Sequence, residues 1–223
     1  MKPTSLRKYA AEFLGTQVLV CAIVGSGIMA TNLTSDVGLQ LFINALATIF
    51  SLGLLIFVFS EISGSHFNPV VTLAALAQRK ISFQDFLLYL FAQFLGGITG
   101  AILANSMFSH TAISHSRHIR TEGGYFLSEV VATAGLLFLI NILGSQGKGK
   151  AAPFVVAGWI GSAYFFTSST SFANPAVTLA RSFTDTFSGI SLHSVPMFIF
   201  AQVIGAGLGT ALVQIFLTSK RER

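Results

Sequence analysis

Apolar residues dominate this chain in long blocks, and the charged positions sit between them. Gly38–Ser60 and Phe86–Phe108 contain no charged residue, and Gly124–Leu143 carries only Glu129. Tyr9–Ala30 is apolar apart from interruptions such as Glu12 and Gln17, and Ser194–Ser219 is again uncharged. Each block approaches or exceeds the ~20 residues that cross a bilayer core as a helix. Ala151–Ala180 is uncharged over 30 residues, too long for one straight crossing. It divides into a fifth span at Pro153–Thr167, a Ser/Thr-rich bend at Ser168–Ser171, and a short helix from Asn174. The pattern predicts an all-α membrane protein with six spanning helices, plus two short helices, Asn68–Gln78 and the one from Asn174. The first block exceeds the ~7–15 apolar residues of a cleaved signal core, so it reads as a span.

The two short segments echo each other. Asn68–Ala74 (NPVVTLA) and Asn174–Ala180 (NPAVTLA) match at six of seven positions. Asn is a strong helix cap, and Pro suits the first helical position, where its missing N–H costs nothing. Each segment is therefore a helix that starts abruptly inside apolar sequence. Such a start is tolerable at membrane depth only where its bare N–H groups face a water-filled cavity.

Further correspondences extend the repeat. Glu12 and Thr16 match Glu129 and Thr133; Gln93, Gly96 and Gly100 match Gln202, Gly205 and Gly209. The whole chain reads as one channel domain, residues 1–223, built from repeats of about 9–108 and 124–219. Three spans per repeat invert the second relative to the first, an arrangement that places the site near the midplane where half-helix N-termini converge. The expected midplane residues are Asn68, Pro69 and Val70 from one half and Asn174, Pro175 and Ala176 from the other. Two helix N-termini, each carrying roughly half a positive elementary charge, would repel cations there. The asparagine amides would supply donors to a passing oxygen.

Charge then orients the chain. With both termini cytoplasmic, 10 of the 13 Lys and Arg lie inside, leaving Arg117, Arg120 and Arg181 outside. This explains the net charge of +5 without a nucleic-acid or other anionic partner. Charged residues make up 9% of the chain against ~25% in soluble domains, with a mean hydropathy of +0.73. Glu12 and Glu129 could be proton relays, as buried membrane carboxylates often are. Their symmetric placement fits structural support better: accepting hydrogen bonds from the loops at the short helices. The Gly-x-x-x-Gly pairs read as helix-packing surfaces, and Cys21 as a small core residue. The polar loop Ser109–Gly123, with His110, His115 and His118, reads as solvated, without a metal; no cofactor is implied.

The paired Asn-Pro boxes, AEFLGT at Ala11–Thr16 and SGSHFNPVVTLA at Ser63–Ala74 resemble the aquaporin, or major intrinsic protein, family over essentially the whole chain. The resemblance implies homotetramers with one pore per subunit, passing water or small uncharged solutes. Two positions depart from the family pattern: Val70 stands where Ala is usual, and Val177 stands where an arginine normally follows the second box. Arg181, one helical turn later, would lie about 6 Å nearer the outside, in a vestibule, where Asp185 could hold it off the pore axis. The family's spacing puts the remaining filter positions at Thr48, Ser162 and Ser171. A Thr/Ser/Ser/Val ring implies a wide opening suited to glycerol-like polyols or metalloid hydroxides. Cation exclusion would then rest mainly on the Asn68/Asn174 region.

The second-box segment is also similar to a bacterial subgroup associated with arsenic handling, which suggests arsenite as As(OH)3. A multi-pass protein of the bacterial inner membrane follows. Two other classes share some features: a coupled secondary transporter, which needs an ion site, and a closed-pore tetrameric scaffold. An enzyme is not expected, since no span offers a nucleophile–base pair.

Overall fold

The structure, a computed structural model, describes residues 3–218; the basic residues Lys2, Lys220, Arg221 and Arg223 counted above lie outside them. Helices follow the apolar blocks: α1 (Pro3–Leu33), α2 (Val37–Ser63), α4 (Phe83–Met107), α5 (Gly123–Ser145), α6 (Ala152–Phe166) and α8 (Val195–Thr218). The short helices are α3 (Pro69–Ala77) and α7 (Pro175–Ala180), the latter continuing as a 3-10 turn over Arg181–Phe183. No strand occurs among the described residues.

Five of the helices (α1, α2, α4, α5 and α8) are long and apolar enough to cross a membrane. The sixth expected span is shorter: α6 has 15 residues, with a 3-10 turn at Gly149–Ala151 before it. Pro153 sets its beginning, and the run of turns after Phe166 ends it.

The radial pattern is the inverse of a soluble protein. Large apolar side chains such as Phe50, Leu54, Phe57 and Phe154 are exposed. Glu12, Thr16, Gln93, Glu129, Thr133 and Gln202 are fully buried. A helix can present Phe outward at no cost only to a hydrocarbon solvent, while its polar groups must find partners inside.

Packing is closest where the glycine pairs fall. α4 lies on α1, and a Cβ at Gly96 or Gly100 would collide with the backbone carbonyls of Phe13 and Gln17. α8 lies on α5 in the same way, with Gly205 and Gly209 against the carbonyls of Val130 and Ala134. Only a residue without a side chain permits that approach, which gains dispersion contacts where no hydrophobic drive exists between helices. These two tight pairs form the frame on which α3 and α7 are mounted.

The connection between α4 and α5 is stitched down rather than free. Ser114 and Ser116 donate from their backbone N–H groups to Phe183 and Ser182 carbonyls, both at 3.1 Å, and Ser191 N–H donates to His118 O at 2.7 Å. Asn105 at the end of α4 donates to the carbonyls of Ala112 and Phe183. Three consecutive segments are thus tied into one surface at this end of the molecule.

Candidate functional site

α3 and α7 meet N-terminus to N-terminus. Asn68 caps α3 by accepting from Val70 N–H at 3.1 Å, and Asn174 caps α7 by accepting from Ala176 and Val177 N–H groups at 3.0 and 3.3 Å. The Nδ2 groups cross between the halves: Asn68 donates to Ala173 O at 2.7 Å, and Asn174 donates to Phe67 O at 2.8 Å. A carboxamide has two N–H donors. One on each asparagine is used in the crossing bond.

The loops leading into the two helices have the same conformation. Ser65 and Phe67 precede Asn68 with φ of 50° and 46°; Ser171 and Ala173 precede Asn174 with φ of 52° and 46°. Left-handed backbone at non-glycine residues costs of order 1 kcal/mol or more each, so something must hold it. The holders are the two buried glutamates. Glu12 accepts from the backbone N–H of His66 at 2.9 Å and Phe67 at 2.7 Å, and from the Ser63 hydroxyl at 2.6 Å. Glu129 accepts from Phe172 and Ala173 N–H at 3.0 and 2.9 Å.

A second layer repeats as faithfully. Gln93 donates to Glu12 and to the Thr72 hydroxyl, at 2.8 and 2.9 Å; Gln202 donates to Glu129 and to Thr178, at 2.6 and 2.8 Å. Thr72 and Thr178 in turn donate to the carbonyls of Asn68 and Asn174. Every carboxylate oxygen here is engaged by loop or glutamine donors, as a positioning role requires.

A cavity of about 190 Å³ passes these tips. Its lining extends from Gln78, Lys80 and Asn141 at one end, past Asn68 and Asn174, to Ser171, Val177 and Arg181 at the other. Most of the wall is apolar, with Leu19, Leu52, Ile56, Leu136, Val156 and Ile160 contributing. Polar groups appear at intervals along an otherwise greasy passage. Pro69, Val70, Pro175 and Ala176 are buried behind the tips, within the helices that present the asparagines.

At the Val177 end, Thr48 and Ser171 line the cavity but Ser162 does not. Ser162 is exposed on the outer face of α6, its hydroxyl donating to Gly158 O. Helix phase explains the correction. Ile160 and Tyr164 stand four apart and share the cavity face, and Ser162, midway between, points away. The count back from Asn174 crosses the bend at 167–173, where helical spacing does not apply. Tyr164 takes the inward position, buried, with its hydroxyl 3.1 Å from that of Thr48. The i, i+4 pair with Ile160 was the sequence signal for it.

Arg181 also departs from expectation. It is buried rather than held out in a vestibule, and it lines the cavity together with Val177 and Tyr164. Its guanidinium carbon lies 3.5 Å from the centre of the Phe172 ring, and its Nε donates to Ser188 O. Asp185 is engaged elsewhere: it accepts from the Arg117 backbone at 2.9 Å and pairs loosely with the Arg117 side chain. This end of the cavity therefore has a cation and an aromatic residue that the spacing argument did not place there. Nearby, burial draws the Arg120 guanidinium below its ordinary pKa, against the pull of Tyr125, Glu129 and Tyr164.

Among the described residues, no three His, Cys, Asp or Glu side chains converge as a metal site would require. In the 109–123 connection, His115 instead packs its ring 5.7 Å from that of Phe183.

Known proteins share this fold. The family model described as major intrinsic protein matches residues 1–172 and 160–223. Aquaglyceroporin AqpS of Rhizobium meliloti is 44% identical over 215 residues, 96% of this chain and 92% of that protein. Probable aquaporin TIP2-2 of Oryza sativa is 29% identical over 92% of this chain and 84% of its own length. Among solved structures, the aquaglyceroporin from Plasmodium falciparum superposes with a TM-score of 0.69 at 22% identity, covering 95% of both chains, and so shares the fold.

Proposed function

This chain belongs to the major intrinsic protein family and forms a transmembrane channel for water and small solutes such as glycerol, and we propose that solutes pass between the Asn68 and Asn174 tips. One observation carries this reading: two helix starts, brought together by reciprocal amide bonds, face a common cavity that continues beyond them in both directions. A solute oxygen at the tips meets the second N–H of each amide and two positive helix ends. Water and polyols can replace their lost hydration there; a cation cannot.

The selectivity ring is proposed at Thr48, Tyr164, Ser171, Val177 and Arg181. Val177 leaves open the place next to the tip, and Arg181 reaches the passage from one turn further on. Cation exclusion is then shared between the tips and Arg181. Such a ring suits small solutes carrying several hydroxyls. Glycerol is one, and As(OH)3, neutral at pH 7 and hydroxylated on every side, is the other that we propose. We place the protein in a bacterial inner membrane with its termini in the cytoplasm, so that the Arg181 mouth faces outside. Four copies, each with its own pore, would cover part of the exposed apolar surface.

Stopped-flow light scattering on proteoliposomes tests the proposal, with water, glycerol, urea and As(OH)3 compared side by side. Passage of glycerol and As(OH)3 well above empty vesicles, independent of any proton or sodium gradient, is the expected result. Gradient-dependent uptake would replace the channel by a coupled transporter. No permeability to any of the four would leave a closed scaffold.

A further inference from the structure

The connection between α4 and α5 brings one residue to the Arg181 mouth that no helix supplies. Its path is fixed by backbone bonds to the 181–194 segment, and the last of these is Arg120 N–H to the Ser194 hydroxyl at 2.9 Å. That bond lays the Arg120 guanidinium over Phe172, 5.4 Å from the ring centre. Arg181 sits on the same ring at 3.5 Å. Phe172 lines the cavity and is itself clamped, by its N–H to Glu129 and by an edge contact with Phe198 at 5.1 Å.

Two guanidinium groups therefore share one fixed aromatic platform at the wall of the passage. The buried Glu129 carboxylate, whose charge reaches both, offsets them only in part. Among the described residues neither forms an ion pair: Asp185 is taken by Arg117, and the Glu129 oxygens by loop N–H groups and Gln202. Arg120 Nε–H is buried and has no hydrogen-bond partner among the described residues. Two like charges held together with only partial counter-charge and no ion pair raise the positive potential in the adjoining passage, whose apolar walls screen it weakly.

We propose that Arg120 is a selectivity residue of this channel, a second positive charge that acts with Arg181 to exclude cations at the mouth. It does not touch the solute; its charge acts through space beside Phe172. The assignment rests on the pore reading above. It gives the 109–123 connection a part in selectivity, and it offsets the opening left by Val177.

The test uses the full-length protein in proteoliposomes, comparing wild type with Arg120→Ala, Arg120→Gln and Arg120→Lys. Glycerol flux is followed by light scattering, and proton entry and potassium efflux by enclosed dyes. For Arg120→Ala and Arg120→Gln the expected rise in proton or potassium leak is about fivefold or more, with glycerol flux within about twofold of wild type. Arg120→Lys, which keeps the charge, should restore the wild-type leak. Gln retains much of the stem that packs on Phe172, so it separates charge from packing if the Ala variant folds poorly. Unchanged leak in the Gln variant overturns the assignment. So does loss of glycerol flux in all three variants, since Arg120 would then be a brace for the connection. A wild-type protein impermeable to glycerol would instead remove the pore reading, and this assignment with it.

Discussion

Asn68 and Asn174 each donate to a carbonyl of the residue that precedes the other: Asn68 to Ala173 at 2.7 Å, Asn174 to Phe67 at 2.8 Å. The same side chains cap their own helices through Oδ1. One residue type thus ends a helix, joins the halves and keeps a donor for the passage. Only a carboxamide combines the three. Serine caps but is too short to cross, and aspartate caps but cannot donate.

Substitutions at Asn174 should separate those tasks. Asn174→Ala removes the cap and the crossing bond and is expected to cost about 1–3 kcal/mol, read as a lower unfolding midpoint in detergent. Asn174→Asp keeps the cap acceptor, so its stability loss should be smaller. Its glycerol flux should nevertheless fall and its cation leak rise, because a carboxylate inverts the charge at the tip. Equal stability losses in the two variants would count against the capping role.

Val177→Arg places a long cation where a small apolar side chain now lines the cavity. Glycerol flux should drop by an order of magnitude while water flux falls much less, measured by swelling in the same vesicles. An unaltered glycerol-to-water ratio would move the constriction away from Val177.

Positions 162 and 164 offer a paired test of helix phase. Ser162→Leu changes only the outward face of α6 and should leave solute flux within about twofold of wild type and stability within about 0.5 kcal/mol. Tyr164→Ala empties a buried site, loses the contact with Thr48 and should cost about 3–5 kcal/mol, the range for deleting a large buried aromatic side chain. Surviving protein should pass larger polyols than wild type does. The reverse ranking would restore Ser162 to the ring.

α8 provides an internal control for close packing. A Cβ at Gly209 would enter the backbone of Ala134, whereas one at Gly207 meets nothing within 4 Å. Gly209→Ala should therefore destabilise by about 1–3 kcal/mol as overpacking. Gly207→Ala should be neutral or stabilise by up to about 1 kcal/mol, the helix-propensity difference. Thermal unfolding of both in one detergent decides it.

The parts of this molecule legible in the sequence are those governed by short-range rules. Asn-Pro fixes a helix start wherever it falls, and the observed starts at Pro69 and Pro175 lie where the two boxes put them. Uncharged blocks fix the long helices to within a few residues. What failed was extrapolation across irregular backbone. The count from Asn174 to Ser162 crosses Thr170, Ser171 and Ala173, all with positive φ, and no spacing rule carries through such a bend. Arg181 failed for another reason: a long side chain goes where its partners are, and Phe172 and Ser188 are set by tertiary packing. In sequence Arg120 reads as one more solvated loop charge, because its anchor, Ser194, is 74 residues away.

The crossed amide bonds also bear on how the molecule moves. They tie the two halves at the one point where a rocking transporter would have to part them, and the doubled glutamate–glutamine clamps hold both lips rigid. Such a tube has no cycle to complete. Its throughput should rise in proportion to the solute gradient without reaching a ceiling, and its temperature dependence should be that of viscous flow in a narrow bore.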